Sequence, residues 1–158
     1  MNVAPKPIVT EIIRDDLEWI PIDAVAGTRN MAIKVIKVDR EKARVMFKVR
    51  FGPNSEAPRH YHFAEACAIT LSGRWAYDEG EFAAGDVAYE GAGSDHTPTS
   101  EDGAELFIVL LAPEGEHRLL RNHFDDGSTS DLDFDFFAML EGKSAAEAEA
   151  IFGALLEA

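Results

Sequence analysis

Cysteine is nearly missing from this sequence of 158 residues, which contains Cys67 alone. A lone cysteine excludes an intrachain disulfide and is typical of a reducing compartment, so we expect a cytoplasmic location. Long apolar runs are missing too, since none approaches the roughly 20 residues that a membrane-spanning helix needs. The N-terminus has no basic segment followed by an apolar run, which predicts that there is no secretory signal.

Basic residues are scarce: 15 Lys and Arg stand against 29 Asp and Glu, and the formal net charge is −14. Such a surface repels phosphate backbones, which argues against nucleic-acid binding. The acidity says little about the substrate, because a bound cation can dominate the field in its own site. We therefore expect small-molecule partners, with neither nucleic acid nor membrane.

Hydrophobic alternation predicts an all-β protein. Residues 31–38 and 44–51 form two predicted strands around a polar turn, and every other residue from Val45 to Phe51 is apolar. Further strands are predicted at 58–71, 73–79, 85–90 and 104–112. Many short strands with glycine turns between them favour a sandwich or barrel. We expect one domain over residues 1–158, with the barrel core at about 20–121.

The end of the chain, about residues 122–158, is predicted as an extension of the barrel. Residues 122–133 faintly resemble a calcium loop but lack its ligand spacing and final Glu, so a solvated turn is the preferred interpretation. The stretch Ser144-Ala-Ala-Glu147 is a capping-box pattern and predicts a helix over residues 144–157.

Three histidines predict a metal site. His60 and His62 are one residue apart on a predicted strand, so they project from the same face with Cα atoms roughly 6.5–7 Å apart. His96 follows a glycine-rich turn at the start of a later strand. Three neutral nitrogen donors suit iron, zinc, copper or nickel better than calcium or magnesium. His117 and His123 match no such pattern and are expected at the surface.

Glu90 and Arg74 are candidate catalytic residues near this site. Glu90 lies on an otherwise apolar strand, six residues before His96. If it points inward beside a cation it would be ionised, and it could orient a histidine or accept a substrate proton. Arg74 is its expected partner. A set of aromatic side chains is expected to line the substrate pocket, namely Phe47, Trp75, Tyr77, Tyr89 and Phe107.

The histidines stand in two motifs that resemble those of the cupin superfamily. In the first motif, Asn54 replaces a glycine that is separated from His60 by five residues, and Gly73 is in place. The family usually has a metal-binding Glu at the position of Ala66. In the second motif Gly85, Gly93 and His96 match, whereas Gly91 replaces a proline and Ser100 an asparagine. The resemblance implies a double-stranded β-helix, or jelly-roll barrel, with a C-terminal helix outside it.

Ala66 leaves the expected site without its usual carboxylate. By strand parity Ala66 shares a face with the two histidines, and Glu65 and Cys67 point away. A one-residue bulge would reverse this and bring Glu65 or Cys67 toward the metal. Without a bulge, three histidines leave the ion its full +2 charge, which favours an anionic bidentate ligand such as an enolate or a deprotonated hydroxyketone.

Within the superfamily, Pro58 to Tyr77 and Asp86 to Thr97 look like the small dioxygenases that cleave 2,4′-dihydroxyacetophenone or acetylacetone. The resemblance implies Fe(II) held by His60, His62 and His96, although zinc, manganese or nickel could be present as isolated. It implies O2-dependent cleavage of a C–C bond in a small β-diketone, hydroxyacetophenone or related aromatic.

Two other functions stay open. One is a zinc-binding, non-catalytic cupin similar to the metal-binding domain of anti-sigma factors, and the other is a metal-dependent cupin isomerase or lyase. Unpaired sheet edges and an apolar helix face also lead us to expect a homodimer or homotetramer.

Overall fold

A computed structural model describes residues 10–158, which form twelve strands and three helices. The strands are β1 Ile20–Pro21, β2 Arg29–Asp39, β3 Arg44–Glu56, β4 Arg59–His62, β5 Glu65–Tyr77, β6 Gly80–Ala83, β7 Val87–Glu90, β8 Asp95–His96, β9 Thr99–Ser100, β10 Ala104–Leu111, β11 Arg118–His123 and β12 Thr129–Asp133. The helices are α1 Asp23–Ala26, α2 Phe134–Leu140 and α3 Ala145–Leu156. No helix in this part of the chain is long and apolar enough to cross a membrane.

Two antiparallel sheets build the barrel. The larger has the order β1-β2-β3-β10-β5-β6, with β7 paired to β5 and β9 paired to both β3 and β5. The smaller has the order β12-β11-β4-β8. The sheets enclose a common interior, and the predicted jelly-roll barrel with a C-terminal helix is confirmed.

Alternation in β3 fixes which face of the larger sheet lies inside. Val45 and Phe47 are buried, as are the next two alternate residues, Val49 and Phe51. The intervening side chains reach the outer surface, where Lys48 forms an ion pair with Asp15 at 2.6 Å. The predicted inward face of this strand is therefore confirmed.

A bulge in β5 changes the inward parity part-way along the strand. Leu106 of β10 pairs with Thr70, but the preceding Glu105 pairs with Ser72, so one residue of β5 is left over. Before the bulge even-numbered residues such as Thr70 are buried, and after it Trp75 is buried. Two strands were expected over 58–79, divided at Gly73. The observed division lies instead at the corner between β4 and β5.

The C-terminal region contributes more to the barrel than the sequence predicted. Residues 122–133 were interpreted as a solvated turn, but they include the end of β11 and all of β12, joined by a short turn in which Asp126 accepts hydrogen bonds from Ser128. Helix α2 follows directly. The side chain of Asp133 caps it by accepting a hydrogen bond from the Phe136 amide at 2.9 Å.

The predicted terminal helix is present as α3. Its Ser144 side chain accepts from the Glu147 amide, and the Glu147 side chain accepts from the Ser144 amide, each at 3.2 Å. Ala148 and Phe152 are the buried residues of α3, whereas Leu155 is exposed. The helix therefore packs against the rest of the protein along one narrow face, which contains Ala148 and Phe152.

Candidate metal centre

The three predicted histidines converge inside the barrel. His60 and His62 lie on β4, and His96 lies on the neighbouring β8, directly opposite His60 in the strand pairing. One ring nitrogen from each lies within 4.8 Å of the others. His62 and His96 are buried.

A carboxylate lies beside the histidines, but it comes from β7 and not from the β5 position where the family motif has its Glu. Glu90 is buried on β7, and its Oε2 lies 3.0 Å from His62 Nε2 and 2.9 Å from His96 Nε2. In the strand pairing Glu90 stands directly opposite Ala66 of β5. The small side chain of Ala66 leaves the space beside it to the Glu90 carboxylate.

The donor atoms fit a divalent metal ion. Nδ1 of His60 and of His62 face the backbone carbonyls of Pro58 at 3.1 Å and Ala64 at 3.3 Å. If each Nδ1–H donates there, Nε2 of the neutral ring carries a lone pair. His62 Nε2 lies 3.2 Å from His96 Nε2. Nitrogen and carboxylate acceptors this close repel one another unless a cation or proton lies between them.

The spacing of these atoms supports the same conclusion. Donors that bind one ion at about 2.1 Å and at right angles lie about 3.0 Å from each other. The three distances among His62, His96 and Glu90 run from 2.9 to 3.2 Å. The cluster is therefore a metal-binding site of three histidines with an adjacent carboxylate.

The local electrostatics favour the protonation states that metal binding needs. Burial, together with the nearby His62 and His96, lowers the pKa of His60 to about 3, which keeps its ring neutral. Burial alone would raise the pKa of Glu90, but hydrogen bonds that His62 and His96 donate to it through Nε2 before a metal binds outweigh this and lower the pKa to about 2. A neutral imidazole and an ionised carboxylate are both competent ligands at neutral pH.

An aromatic ring fixes the orientation of one ligand. Tyr77 stacks on His96, with ring centroids 4.2 Å apart and planes inclined by 3°. Burial raises the pKa of the Tyr77 phenol above its usual value, so the phenol stays neutral. Such a contact restricts the ring rotation of a ligand and holds its nitrogen in place.

The cluster opens into a small apolar cavity with a volume of about 100 Å³. Its walls come from both sheets and from α2, and include Val49, Phe51, Leu106, Leu110, Leu120, Leu132, Phe136 and Phe137. Among residues 10–158, the uncharged polar side chains of the wall outside the cluster are Thr28 and Asn122. For scale, a dry apolar cavity of roughly 150 Å³ accepts benzene.

Two of the five aromatic residues expected in the pocket are found there, namely Phe47 and Trp75. Tyr77 contacts His96 instead of the cavity. Tyr89 is 72 % exposed, because it follows the inward Ala88 and precedes the inward Glu90 on β7. Phe107 lies between two cavity-lining residues of β10 and therefore points to the outer face. The placement of Tyr89 and Phe107 in the pocket was wrong.

Arg74 was expected to pair with Glu90, and this is also wrong. It is exposed on the outer surface and forms an ion pair with Glu81 at 3.1 Å. The bulge between Thr70 and Trp75 sets its direction, since Trp75 takes the inward position. Arg74 therefore cannot contribute to the cluster.

Neither Glu65 nor Cys67 points toward the metal ligands in place of the carboxylate that is missing at Ala66. The pairing of β5 with β10 is regular from Glu65 to Thr70, so both residues keep their outward parity. Glu65 accepts a hydrogen bond from the Tyr89 hydroxyl at 2.8 Å on the outer face. His117 and His123 also lie outside the cluster.

Several cavity residues were missed by the sequence interpretation. Leu132, Phe136 and Phe137 lie in the region that was expected outside the barrel core. Asn122 was placed in a solvated turn, yet it is 3 % exposed. One signal could have found it: Leu120 and Asn122 have the spacing of two residues on one strand face.

Comparison with known protein families agrees with this fold and cluster. The model of a family described as the ChrR cupin-like domain matches residues 9–114, about two thirds of the sequence. The chain belongs to this cupin family. No curated protein sequence matches the chain.

Solved cupin structures share the fold at low sequence identity. An RmlC-like cupin from Ralstonia eutropha has 23 % identity and a TM-score of 0.68, with 80 % of this chain and 81 % of that chain covered. An acetylacetone dioxygenase from Acinetobacter johnsonii has 14 % identity and a TM-score of 0.68, with coverage of 98 % and 99 %. The polyketide cyclase RemF from Streptomyces resistomycificus has 16 % identity and a TM-score of 0.58, with coverage of 89 % and 98 %. These likenesses establish the cupin fold, which hosts different reactions.

Proposed function

We propose that this cupin is a non-haem Fe(II)-dependent dioxygenase that uses O2 to cleave a C–C bond of a small β-diketone, hydroxyacetophenone or related oxygenated aromatic. The observation that carries the proposal is a buried cluster of His60, His62, His96 and Glu90 that opens into a small apolar cavity. Three histidines select weakly among transition metals, so zinc, manganese or nickel could replace iron in the isolated protein.

The residues around the cluster suit a chelating substrate with an apolar remainder. Phe47 and Phe137, whose rings lie 5.0 Å apart, form part of a wall that would hold the carbon skeleton. This wall leaves little room for water, which would protect reactive species from hydrolysis. When bound, the ion would polarise the substrate oxygens and supply the redox chemistry with O2.

Glu90 is the base closest to the bound substrate in this proposal. A β-diketone or hydroxyketone must lose a proton to bind as an anion, and a carboxylate within reach of the chelated oxygens can accept it at Oε2. Contacts with His62 and His96 keep Glu90 ionised before the substrate arrives. The same contacts would hold its carboxylate in position during the transfer.

The size and polarity of the cavity support small, weakly polar substrates. A volume of about 100 Å³ favours the smaller members of the proposed class, such as short aliphatic diketones, over two-ring aromatics. Similarity of fold to the Acinetobacter acetylacetone dioxygenase adds an argument by analogy. The apolar walls weigh against a sugar isomerase, which needs many hydrogen-bonding groups.

A non-catalytic metal-binding module is the second candidate. The family match to the ChrR cupin-like domain favours it, because the histidine cluster could then serve metal binding alone. The apolar cavity beside the cluster favours the enzyme, since a purely structural metal site has no need of free space beside its ligands.

Oxygen consumption tests the proposal. Protein reconstituted anaerobically with Fe(II) should take up O2 in the presence of one substrate class among β-diketones, hydroxyacetophenones and small oxygenated aromatics. A zinc-loaded sample is the control and should take up none. No uptake by the iron form, together with tight retention of zinc, would favour the non-catalytic module instead.

A further inference from the structure

A polar row crosses the smaller sheet beside the metal cluster. In the strand pairing His96 stands opposite His60, His60 opposite Asn122, and Asn122 opposite Ser130. Directly opposed residues of antiparallel strands share a face and have Cβ atoms about 4.5–5.5 Å apart. The row that begins with two metal ligands therefore continues with two uncharged polar side chains.

Asn122 has unused hydrogen-bonding capacity inside the cavity wall. It is 3 % exposed, and among residues 10–158 its side chain makes one hydrogen bond, a long one of 3.4 Å from Nδ2 to the Ala26 carbonyl. An amide side chain offers two N–H donors and an oxygen acceptor. The acceptor and one donor thus have no protein partner in the part of the chain that the structure describes.

Ser130 adds a second polar group with an unused hydrogen bond. Its Oγ is buried and has no hydrogen-bond partner among the described residues. Leaving buried polar groups unpaired costs about 1–3 kcal/mol each, and an apolar side chain would avoid this cost. Leu120 and Leu132, which pair with each other two residues away, show that the same wall accommodates apolar side chains.

We propose that Asn122 determines ligand specificity by hydrogen bonding to an oxygen of the ligand that the metal does not hold. The ligand class is then a small chelating carbonyl compound with one further hydroxyl or carbonyl oxygen close to the chelating pair. This follows from the position of Asn122 beside His60. The inference rests on the proposed function, because it requires that ligands chelate at the histidine cluster.

Two hydroxamates that differ by one hydroxyl test this inference. Acetohydroxamate and glycolohydroxamate present the same chelating oxygens, and the second carries an additional hydroxyl on its methyl carbon. In the Co(II)-loaded protein, chelation by either is followed through the visible absorption of the metal. We expect glycolohydroxamate to bind about fivefold to tenfold more tightly, as one added hydrogen bond predicts.

Variants identify the residue responsible for the preference. Asn122→Leu should reduce the ratio of the two dissociation constants to about one, and Asn122→Ala should do the same if the leucine variant folds poorly. Thr28→Val is the matched control, because the Thr28 hydroxyl lines the same cavity but already donates to Asp23 at 2.5 Å. This control should keep the preference.

The outcomes distinguish an error in the role of Asn122 from an error in the assignment of the chelating centre. If both chelators bind with equal affinity, or if Asn122→Leu keeps the preference, the role of Asn122 is wrong while the chelating centre stands. If neither chelator changes the Co(II) spectrum, the centre does not accept bidentate oxygen ligands, and the proposed function is overturned together with the inference.

Discussion

Glu90 compensates for the metal-binding Glu of the family motif, which this chain replaces with Ala66. Ala66 removes a carboxylate from β5, and Glu90 supplies one from the paired position on β7. Its Oε2 is within hydrogen-bond distance of two ligand nitrogens, so the negative charge of the site is retained although its origin has moved by one strand. The net charge of a bound ion together with its surrounding residues is therefore lower than it would be with three histidines alone.

The ligand set can be tested by removing one histidine. His96→Ala should abolish stoichiometric metal binding, because two histidines and a nearby carboxylate hold a divalent ion much more weakly than the complete set. His123→Ala should retain one metal per chain, since His123 lies outside the cluster. Metal content after dialysis, measured by mass spectrometry, checks both. Loss of metal from the His123 variant would contradict the assignment.

Glu90→Gln should weaken metal affinity by about 10-fold to 100-fold, the usual effect of removing a group that supports metal ligands. The amide keeps the shape of the side chain but loses the charge beside His62 and His96. Glu65→Gln is the matched control, because Glu65 contacts Tyr89 on the outer face. Competition with a chromophoric chelator measures the affinities. Equal affinity of the Glu90 variant and the unchanged protein would show that this carboxylate does not act on the metal.

The metal ligands could be predicted from the sequence because short motifs mark their positions. His60, His62 and His96 follow motif positions and strand parity, and Asn54 has a φ of 51°, the left-handed conformation that its motif position predicts. The direction of Arg74 could not be predicted in this way. It depends on a bulge in β5 that arises from pairing with β10, far away in the sequence.

At the level of strands, the sharpest constraint lies in the middle of β5. Gly73 has a φ of 75°, and a Cβ at this position would collide with the carbonyl oxygen of Gly103 and lie 2.7 Å from the Ala104 Cα. The Arg74 amide also donates to the Gly103 carbonyl at 3.1 Å. The backbone of β5 therefore approaches the start of β10 too closely for any side chain.

Gly73→Ala should lower the free energy of unfolding by about 2 kcal/mol or more, since it combines a left-handed backbone with a backbone clash. Gly80→Ala is the control on β6, where a Cβ meets nothing within 4 Å and φ is not positive. This change should stay within roughly 0.5 kcal/mol. The stabilities of the two variants are compared by their urea unfolding midpoints. Similar midpoints for both variants would contradict the close approach of β5 and β10.

The elements that were missed are those whose formation depends on tertiary contacts. Helix α2 has only seven residues, too few to show a helical period, and its stability comes from the buried Phe134, Phe137 and Leu140. Strand β12 is rich in Ser, Thr and Asp, which are typical of turns. It forms because β11 presents an edge for pairing. The strongly alternating β3 and the capped α3, by contrast, were predictable from local pattern alone.

At the level of the whole molecule, the outer face of the larger sheet carries exposed apolar side chains. Leu71, Val87 and Tyr89 are between 44 % and 72 % exposed and lie on the neighbouring strands β5 and β7. The expected homodimer or homotetramer would cover such a surface. Light scattering should report at least a dimer, and Val87→Lys should shift it toward the monomer. If the unchanged protein is a monomer at working concentration, the expectation of a homodimer or homotetramer is wrong.

Metal removal should affect the stability of the entire chain, because the cluster joins β4, β7 and β8 from both sheets. An ion that binds only the folded state at 100 times its dissociation constant stabilises that state by about 2.7 kcal/mol. For a chain of this size that corresponds to a rise in melting temperature of roughly 5–10 °C. Protein treated with a chelator should melt lower by this amount and recover on reloading with metal. His96→Ala should melt at the same temperature with and without metal, and a similar shift in that variant would place the stabilising ion elsewhere.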